Sequence, residues 1–138
     1  MYILTIDDII AVAKEGELLK MKLQDIKELT NAEVVSGKDK LDLEILAVCG
    51  ADLMSDVLAF SDENTLLLTG LTKPQVIRTA EMLGLSAIIF VRGKEPNDQT
   101  VKLAEEREIP LLRTRHSLYE SSGRLYEAGL KGDELEGG

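Results

Sequence analysis

The sequence predicts an α/β fold: a single domain with a largely parallel open sheet flanked by helices. Each of three apolar segments ends at a small or cationic loop, as a buried parallel strand does, and a helical pattern follows the loops. The segments are residues 66–68 before Thr69-Gly70, 87–91 before Arg92-Gly93-Lys94, and 109–112 before Arg113-Thr114-Arg115. With 138 residues and 44% hydrophobic composition, the chain can form one domain with a substantial core.

Two helices are predicted at the start of the chain. Residues 1–20 form an N-terminal helical extension, in which Thr5 can cap the helix and Gly16 would end it. Its apolar face consists of Ile6, Ile9, Ile10 and Ala13. The second helix covers residues 22–29 and ends at Thr30-Asn31. Its buried side chains are predicted to be Leu23, Ile26 and Leu29.

The next segment alternates strand and helix signals. The short apolar segment Val34-Val35 precedes a turn at residues 36–39, and residues 43–48 predict a strand. A loop at residues 50–52 leads to a helix over residues 53–60, followed by a turn at residues 61–64. Helical spacing places Leu53, Val57 and Phe60 on its inward face.

Two helices connect the three apolar strands. The first begins with a capping-box spacing at Thr72 and Gln75, with Pro74 in its first turn and Gly84 as a left-handed end. Its inward stripe is Val76, Ala80 and Leu83. The second begins at Pro96-Asn97. On this helix Val101 and Ala104 face inward, whereas Glu105, Glu106 and Glu108 face solvent.

The chain closes with a helix and a tail. Pro110 enters the last strand, and residues 117–128 predict a helix that ends at Gly129. Its packing side chains are predicted to be Leu118, Leu125 and the rings of Tyr119 and Tyr126. Residues 131–138 are acidic and glycine-rich, which predicts a disordered tail.

Charge and composition exclude several classes of protein. A formal net charge of -9 argues against general nucleic-acid binding, which needs clustered Lys and Arg. The single cysteine, Cys49, cannot form an intramolecular disulfide, and the acidic start lacks the pattern of a signal peptide. No segment approaches the roughly 20 apolar residues of a membrane-spanning helix. We therefore expect a cytoplasmic protein that binds neither nucleic acid nor membrane.

The loops that follow the strands predict a shared anion-binding edge. The carboxyl ends of parallel strands gather at one edge of a sheet, where ligands usually bind. Backbone amides and arginine side chains there favour phosphate or carboxylate. The predicted ligand-binding residues are Thr69, Gly70, Arg92, Gly93, Lys94, Thr114 and Arg115, with Arg113 and His116 beside them. The alternative is that these cations form surface ion pairs with Glu95, Asp98, Glu105 or Glu106.

Other polar residues have a structural and a chemical interpretation. Asp52 can cap a helix, or it can hold a metal or activate water together with Ser55 and Asp56. Cys49 ends an apolar strand, so the favoured interpretation is a small core residue. His116 is interpreted as a surface or capping residue, with a phosphate donor or a pH-sensitive contact as the alternative.

Known catalytic motifs are missing from the sequence. Gly37-Lys38 and Gly93-Lys94 lack the earlier glycine and the following hydroxyl of a phosphate-binding loop. The G-x-S-x-G, H-E-x-x-H and G-x-G-x-x-G motifs do not occur either. The sequence therefore predicts no enzyme, catalytic residue, metal or cofactor.

Five segments, in order over residues 21–130, carry a family resemblance. They are GADLMSDV at 50–57, LLLTG at 66–70, GLSAIIFV at 84–91, LAE at 103–105 and IPLL at 109–112. Together they resemble the DRTGG domain, whose fold is similar to the noncatalytic N-terminal domain of HPr kinase/phosphorylase. Such domains are regulatory modules beside CBS domains in some pyrophosphatases, occur within phosphotransacetylases, and stand alone as short proteins. The resemblance implies a stand-alone member that senses a ligand or associates with a partner.

The chain departs from the family signature at three places. The family's Asp-Arg pair falls on Leu71 and Thr72, and its Thr-Gly-Gly falls on Val91-Arg92-Gly93. A further family Asp-Thr falls on Ser117-Leu118. All three lie at the predicted binding edge, so the resemblance bears on the fold more than on the ligand.

We expect a noncatalytic regulatory or accessory domain that binds a small anionic ligand, a nucleotide or phosphorylated metabolite, at the carboxyl edge of its sheet. The alternative is a protein-interaction or oligomerisation module for a larger metabolic enzyme. A third hypothesis is a small metal-dependent hydrolase that uses Asp52 and Asp56. A homodimer is expected, with the apolar face of the N-terminal extension as the candidate interface.

Overall fold

The computed structural model describes residues 20–60 and 63–132, with residues 58–60 described in their backbone only. The predicted helical extension, apart from Lys20, lies outside the described residues, as do residues 133–138 of the predicted tail. The predicted domain boundaries at residues 20 and 130 therefore stay predictions. Within the described part of the chain, no helix combines the length and the apolar character needed to cross a membrane.

The described part of the chain contains five α-helices and seven strands. The helices are α1 (Leu23–Leu29), α2 (Met54–Phe60), α3 (Pro74–Leu83), α4 (Asp98–Glu106) and α5 (Leu118–Glu127). The strands are β1 (Met21–Lys22), β2 (Glu33–Ser36), β3 (Glu44–Ile45), β4 (Ala47–Gly50), β5 (Thr65–Thr69), β6 (Ala87–Phe90) and β7 (Leu111–Arg113). A short 3-10 helix covers Lys38–Lys40.

The main sheet has five strands in the order β2-β7-β6-β5-β4. Strands β4 to β7 are parallel, and β2 pairs with β7 in the antiparallel direction. Helices α2, α3 and α4 each connect one parallel strand to its neighbour, as parallel strands require. The predicted α/β fold with a largely parallel open sheet is confirmed.

The alternation of side chains along the strands gives the sheet two buried faces. Leu66 and Leu68 belong to a core cluster with residues of α1 and α5, including Leu125. Leu67 points to the opposite face, in the cluster that contains Val57 of α2, residues of α3 and Ala104 of α4. Both faces are therefore covered, which explains why the strand sequences are apolar without interruption.

The strand predicted over residues 43–48 is divided between two sheets. Ile45 in β3 pairs with Met21 in β1, and these two strands form a small antiparallel sheet. Leu46 lies between the sheets, and its amide donates to the carbonyl of Asn64. Strand β4 then begins at Ala47 and pairs with β5. The prediction of one strand was wrong because consecutive apolar residues do not indicate where a chain changes its pairing partner.

Two predicted helix starts need correction. Helix α2 begins at Met54, and Leu53 is 64% exposed rather than inward, although Val57 is buried as predicted. Helix α3 has Lys73 as its N-cap with no side-chain cap bond, so the capping box predicted at Thr72 is not formed. Pro74 in the first turn is confirmed.

Helices α1 and α3 end where the sequence predicted. Helix α1 ends at Leu29 with Thr30 as its C-cap, and Leu23, Ile26 and Leu29 are buried as predicted. Gly84 ends α3 in the left-handed region at φ 71°, where glycine has no steric penalty.

The tyrosines of α5 were predicted to pack, but they do not. Leu125 is fully buried and Leu118 packs against the core, whereas Tyr119 is 88% and Tyr126 is 61% exposed. Helical geometry separates these residues, because positions 118 and 125 lie on one face and positions 119 and 126 lie on the adjacent one. The Lys131 ammonium lies 3.8 Å from the centre of the Tyr126 ring.

Candidate functional site

Five loops meet at the carboxyl edge of the main sheet. Four of them follow the parallel strands β4, β5, β6 and β7. The fifth connects α1 to β2, because β2 runs antiparallel to β7 and begins at this edge, with Glu33 opposite Arg113. The topology therefore brings together the loops on which the sequence placed all its predicted ligand-binding residues.

The Asp52 carboxylate collects hydrogen bonds from two neighbouring strand ends. Its Oδ1 accepts from the Gly70 amide at 2.8 Å and from the Thr69 hydroxyl at 3.4 Å. Its Oδ2 accepts from Nη1 of Arg92 at 3.2 Å. Asp52 follows β4, Thr69 and Gly70 are at the end of β5, and Arg92 follows β6. We call these four residues the Asp52 cluster.

The donors of this cluster lower the pKa of Asp52 below its ordinary value of 3.8. The largest cause is the hydrogen bond from the Gly70 amide; partial burial opposes it, and the hydrogen bond and charge of Arg92 and the Thr69 hydroxyl add to the lowering. The Arg92 and Asp52 side chains are 44% and 41% exposed. Solvent therefore screens their attraction, which limits the ion pair to less than about 1 kcal/mol.

Gly70 leaves room for the Arg92 guanidinium. A Cβ atom at position 70 would collide with Nη2 of Arg92 and would lie 2.8 Å from its Cζ. The guanidinium thus crosses directly over the end of β5 on its way to Asp52. A side chain at position 70 would have to displace it.

The backbone of the loop after β6 is tied to the loop after β7. The Arg92 amide donates to the carbonyl of His116 at 2.8 Å, and the Gly93 amide donates to the carbonyl of Thr114 at 2.9 Å. Both Arg92 and Gly93 have left-handed backbone angles, with φ of 59° and 67°. Such angles are uncommon for a residue with a side chain and cluster at functional sites.

The Thr114 side chain connects β7 to the loop before β2. Its buried hydroxyl donates to the carbonyl of Thr30 at 2.6 Å and accepts from the His116 amide at 3.2 Å. This hydroxyl therefore connects the two loops, and on the loop that follows it Arg115 is exposed while His116 is half-buried.

A cavity of about 470 Å³ opens between the loop after β7 and the loop before β2. It is lined by Asn31, Ala32, Glu33, Arg113, Thr114, Arg115 and His116. We call it the β7 cavity. The Arg113 guanidinium in its wall forms ion pairs with Glu33 and Glu95, whereas Arg115 is exposed.

A second cavity, of about 360 Å³, lies at the end of β5. It is lined by Met54, Gly70, Leu71, Thr72, Lys73, Gln75 and Val76, and we call it the β5 cavity. The sequence interpretation missed it because residues 72–75 read as a helix start. The signal that could have found it is the alignment of Leu71 and Thr72 with the family's Asp-Arg pair.

The structure brings the predicted ligand-binding residues into three groups. Thr69, Gly70 and Arg92 meet at Asp52, which the sequence did not connect with them. Gly93 and Thr114 are joined through their backbones, and Arg115 lines the β7 cavity with His116. Lys94 is exposed, and only a hydrogen bond from its amide to the carbonyl of Val91 is described.

The structural interpretations of the other polar residues have mixed outcomes. Asp52 was expected to cap a helix, but its carboxylate accepts from Gly70, Thr69 and Arg92 instead. Glu95 does pair with a cation of the edge, Arg113, as the ion-pair alternative proposed. Cys49 is partly buried against the core.

Possible metal ligands do not gather in the described part of the chain. Residues 20–60 and 63–132 contain no group of three or more His, Cys, Asp or Glu side chains that could hold a metal ion. Asp56, which the hydrolase hypothesis pairs with Asp52, is an exposed residue of α2. The described geometry thus gives Asp52 an arginine, an amide and a hydroxyl as partners.

Comparisons with known proteins identify the same type of domain. The family model of the DRTGG domain matches residues 25–128. None of the curated proteins compared with the sequence matches it. A crystal structure of the CBS and DRTGG domains of the regulatory region of Clostridium perfringens pyrophosphatase, complexed with its activator diadenosine tetraphosphate, is similar with a TM-score of 0.65 and 18% identity. The similarity covers 93% of this chain and 53% of that one, so the chain spans about half the length of the pyrophosphatase region.

Proposed function

Because the chain belongs to the DRTGG domain family, we propose that it is a noncatalytic regulatory domain that binds a small anionic ligand at the carboxyl edge of its sheet. The ligand class is a nucleotide or another phosphorylated metabolite. We also propose that the protein acts in the cytoplasm, which agrees with its single cysteine.

The observation that carries this proposal is the β7 cavity. Ligands of open α/β sheets bind beyond the carboxyl ends of the strands, and this cavity lies there. Two arginines and a histidine line it, and guanidinium groups suit phosphate oxygens. Arg113 is already paired with Glu33 and Glu95, so Arg115 is the proposed phosphate contact.

The comparison supports a nucleotide as the ligand class. The similar pyrophosphatase regulatory region was crystallised with diadenosine tetraphosphate, a molecule that combines two nucleosides with a chain of phosphates. The similarity itself concerns the fold, and the cationic cavity is a property of this chain. By the same comparison, the partner that the domain regulates is proposed to be a metabolic enzyme.

A thermal-shift titration tests the proposal. Wild type is heated with ATP, ADP, AMP, diadenosine tetraphosphate or inorganic phosphate, and a ligand that binds the folded state raises the melting temperature by mass action. We expect a nucleotide to raise it by a few degrees, and Arg115→Ala to abolish the rise.

The matched control is Arg78→Ala, which removes the same charge from an exposed position on α3. This variant is expected to keep the full shift. If no ligand changes the melting temperature of folded wild type, the ligand-binding proposal is wrong.

One observation favours the second candidate, a protein-interaction module. Tyr119 and Tyr126 are strongly exposed on α5, and a Cβ at Gly123 between them would meet no atom within 4 Å. Two aromatic side chains separated by an open glycine form a surface suited to another protein. Replacement of both tyrosines by Ser should then abolish capture of the partner enzyme while nucleotide binding persists.

A further inference from the structure

We propose that the β5 cavity is a second nucleotide site, which goes beyond the proposed function, and that the Asp52 carboxylate occupies its phosphate position in the ligand-free protein. The Asp52 side chain then acts as an internal competitor of the ligand. An incoming phosphate takes over its hydrogen bonds, and the loop between β4 and α2 moves away.

The first argument is the convergence of donors on Asp52. An amide from the Gly70 backbone, the Thr69 hydroxyl and the Arg92 guanidinium all point at one carboxylate. This combination of a backbone amide, a hydroxyl and an arginine also suits phosphate oxygens, because both anions are pure acceptors when ionised. The cluster is therefore an anion site that is already filled by the chain itself.

The second argument is access. Gly70 is both a donor to Asp52 and a wall residue of the β5 cavity, so a molecule in that cavity lies beside the filled anion site. The two charged side chains are more than two-fifths exposed, which leaves their ion pair open to competition. Exposed pairs of this kind are weak, so a phosphate with two charges can replace a carboxylate with one.

The third argument is the lining of the β5 cavity. Its lining contains the cation of Lys73 and the apolar side chains of Met54, Leu71 and Val76. Thr72 and Gln75 add polar groups. Apolar walls with a few polar groups suit a nucleoside whose phosphate lies toward Gly70 and Arg92.

Displacement of Asp52 has a consequence for α2. Asp52 lies two residues before Met54, the first residue of α2, and Met54 also lines the cavity. A ligand that replaces the carboxylate releases this end of α2 from the ends of β5 and β6. This movement would change the exposed surface of α2 when a ligand fills the site. A regulatory domain requires such a link between a bound ligand and its own surface.

The test compares ATP and inorganic phosphate binding to wild type, Asp52→Ala and Asp56→Ala by calorimetry. Removal of the competitor should tighten ATP binding by about threefold to tenfold. Asp56→Ala removes the same charge from an exposed position on α2 and should stay within about twofold of wild type. Equal affinities of Asp52→Ala and Asp56→Ala would overturn the proposal.

Nuclear magnetic resonance gives a second readout in the wild-type protein. ATP should shift the amide signal of Gly70 and the guanidinium signal of Arg92, and Arg115→Ala should keep both shifts. If only signals of the β7 cavity move, the β5 site is wrong while the proposed function stands. If neither ATP nor phosphate moves any signal in wild type or in Asp52→Ala, both proposals fail.

The Asp52→Asn variant keeps the comparison decisive if Asp52→Ala does not fold. The asparagine side chain retains an oxygen that can accept from the Gly70 amide, but it carries no charge to hold Arg92. It should also bind ATP more tightly than Asp56→Asn, and equal affinity of the two would count against the proposal.

Discussion

Arg92 connects the ends of four strands at the proposed binding edge. Its guanidinium, which follows β6, reaches across Gly70 at the end of β5 to Asp52 after β4. Its amide donates in the other direction, to His116 in the loop after β7. Arg92, which has a left-handed backbone, is thus bonded to the loops on both sides of its own loop.

Gly70→Ala is predicted to displace the Arg92 guanidinium without unfolding the domain. The added Cβ collides with the end of a flexible side chain, which can swing away, and Gly70 does not have a left-handed backbone. Urea unfolding should therefore change by less than about 1 kcal/mol, whereas the guanidinium signal of Arg92 should shift.

Gly123→Ala is the control for this variant. Its Cβ would meet no atom within 4 Å in the interior of α5, so it should stabilise the helix by about 0.5–1 kcal/mol and leave the Arg92 signal in place. An unchanged Arg92 signal in Gly70→Ala would contradict the described path of the guanidinium.

The lowered pKa of Asp52 predicts how its contribution to stability depends on pH. The ionised carboxylate is favoured in the folded state, so its contribution is fully present above the ordinary pKa of 3.8 and is lost as pH falls through the lower folded pKa. The difference in unfolding free energy between wild type and Asp52→Asn should therefore be constant from about pH 7 to pH 5 and shrink below about pH 4.

Urea unfolding of both proteins at each pH measures this difference. Asp56→Asn, at an exposed position of α2, corrects for the general effect of a lost charge. A difference that disappears between pH 7 and pH 5 would assign the effect to another group.

At the scale of elements, α4 depends on its first residues. The Asn97 side chain accepts from the Thr100 amide at 2.9 Å. The Thr100 hydroxyl, which has one hydrogen, donates to the carbonyl of Thr72 at 2.7 Å, which joins the start of α4 to the loop before α3. Asn97 therefore caps α4, and Thr100 connects α4 to the loop before α3.

Asn97→Ala should destabilise the domain by about 1 kcal/mol, because the cap bond is lost. Thr72→Ala is the matched comparison, since the sequence predicted a cap at Thr72 and the structure has none there. It should change stability by less than about 0.5 kcal/mol, because the backbone carbonyl that accepts from Thr100 remains. Thermal unfolding of both variants decides the point, and equal losses would refute the assignment of the caps.

The helix starts predicted at Asn97, Ser117 and Thr72 show how reliable local capping signals are. Pro96-Asn97 and Ser117 were predicted as helix starts, and Asn97 and Ser117 both accept the cap bond within their own first turn. The Thr72 spacing was equally good locally, but α3 begins after Lys73 and no side-chain cap bond forms there. A local capping motif therefore does not by itself decide where a helix begins.

At the scale of the whole molecule, the described core consists of two buried apolar clusters. Both buried clusters consist of residues between Met21 and Leu130. They cover the two faces of one sheet, and the family match at 25–128 lies inside them.

A chain restricted to residues 20–132 is predicted to fold with the same cooperative thermal transition as the full chain. Its melting temperature should lie within a few degrees, because the buried apolar side chains of both clusters are retained. A fragment without a cooperative transition would show that residues outside this range complete the core.

The expected homodimer stays a prediction, and the same fragment tests its interface. If the apolar face of residues 6–13 joins two copies, sedimentation should give a dimer for the full chain and a monomer for residues 20–132. A fragment that remains dimeric would instead direct attention to the exposed tyrosines of α5. A monomeric full chain would contradict the prediction.

The sequence by itself determined the alternation of buried strands and amphipathic helices, the parallel sheet, and the edge of the sheet at which the loops with the predicted ligand-binding residues gather. The effects of the apolar segments, of Pro74 and of Gly84 on secondary structure extend over only a few residues. A short stretch of sequence is therefore enough to predict them. Only the tertiary structure decided that residues 43–48 serve two sheets and that Arg92 meets Asp52, forty positions away. Such pairings depend on which strand ends become neighbours, and no local pattern contains that information.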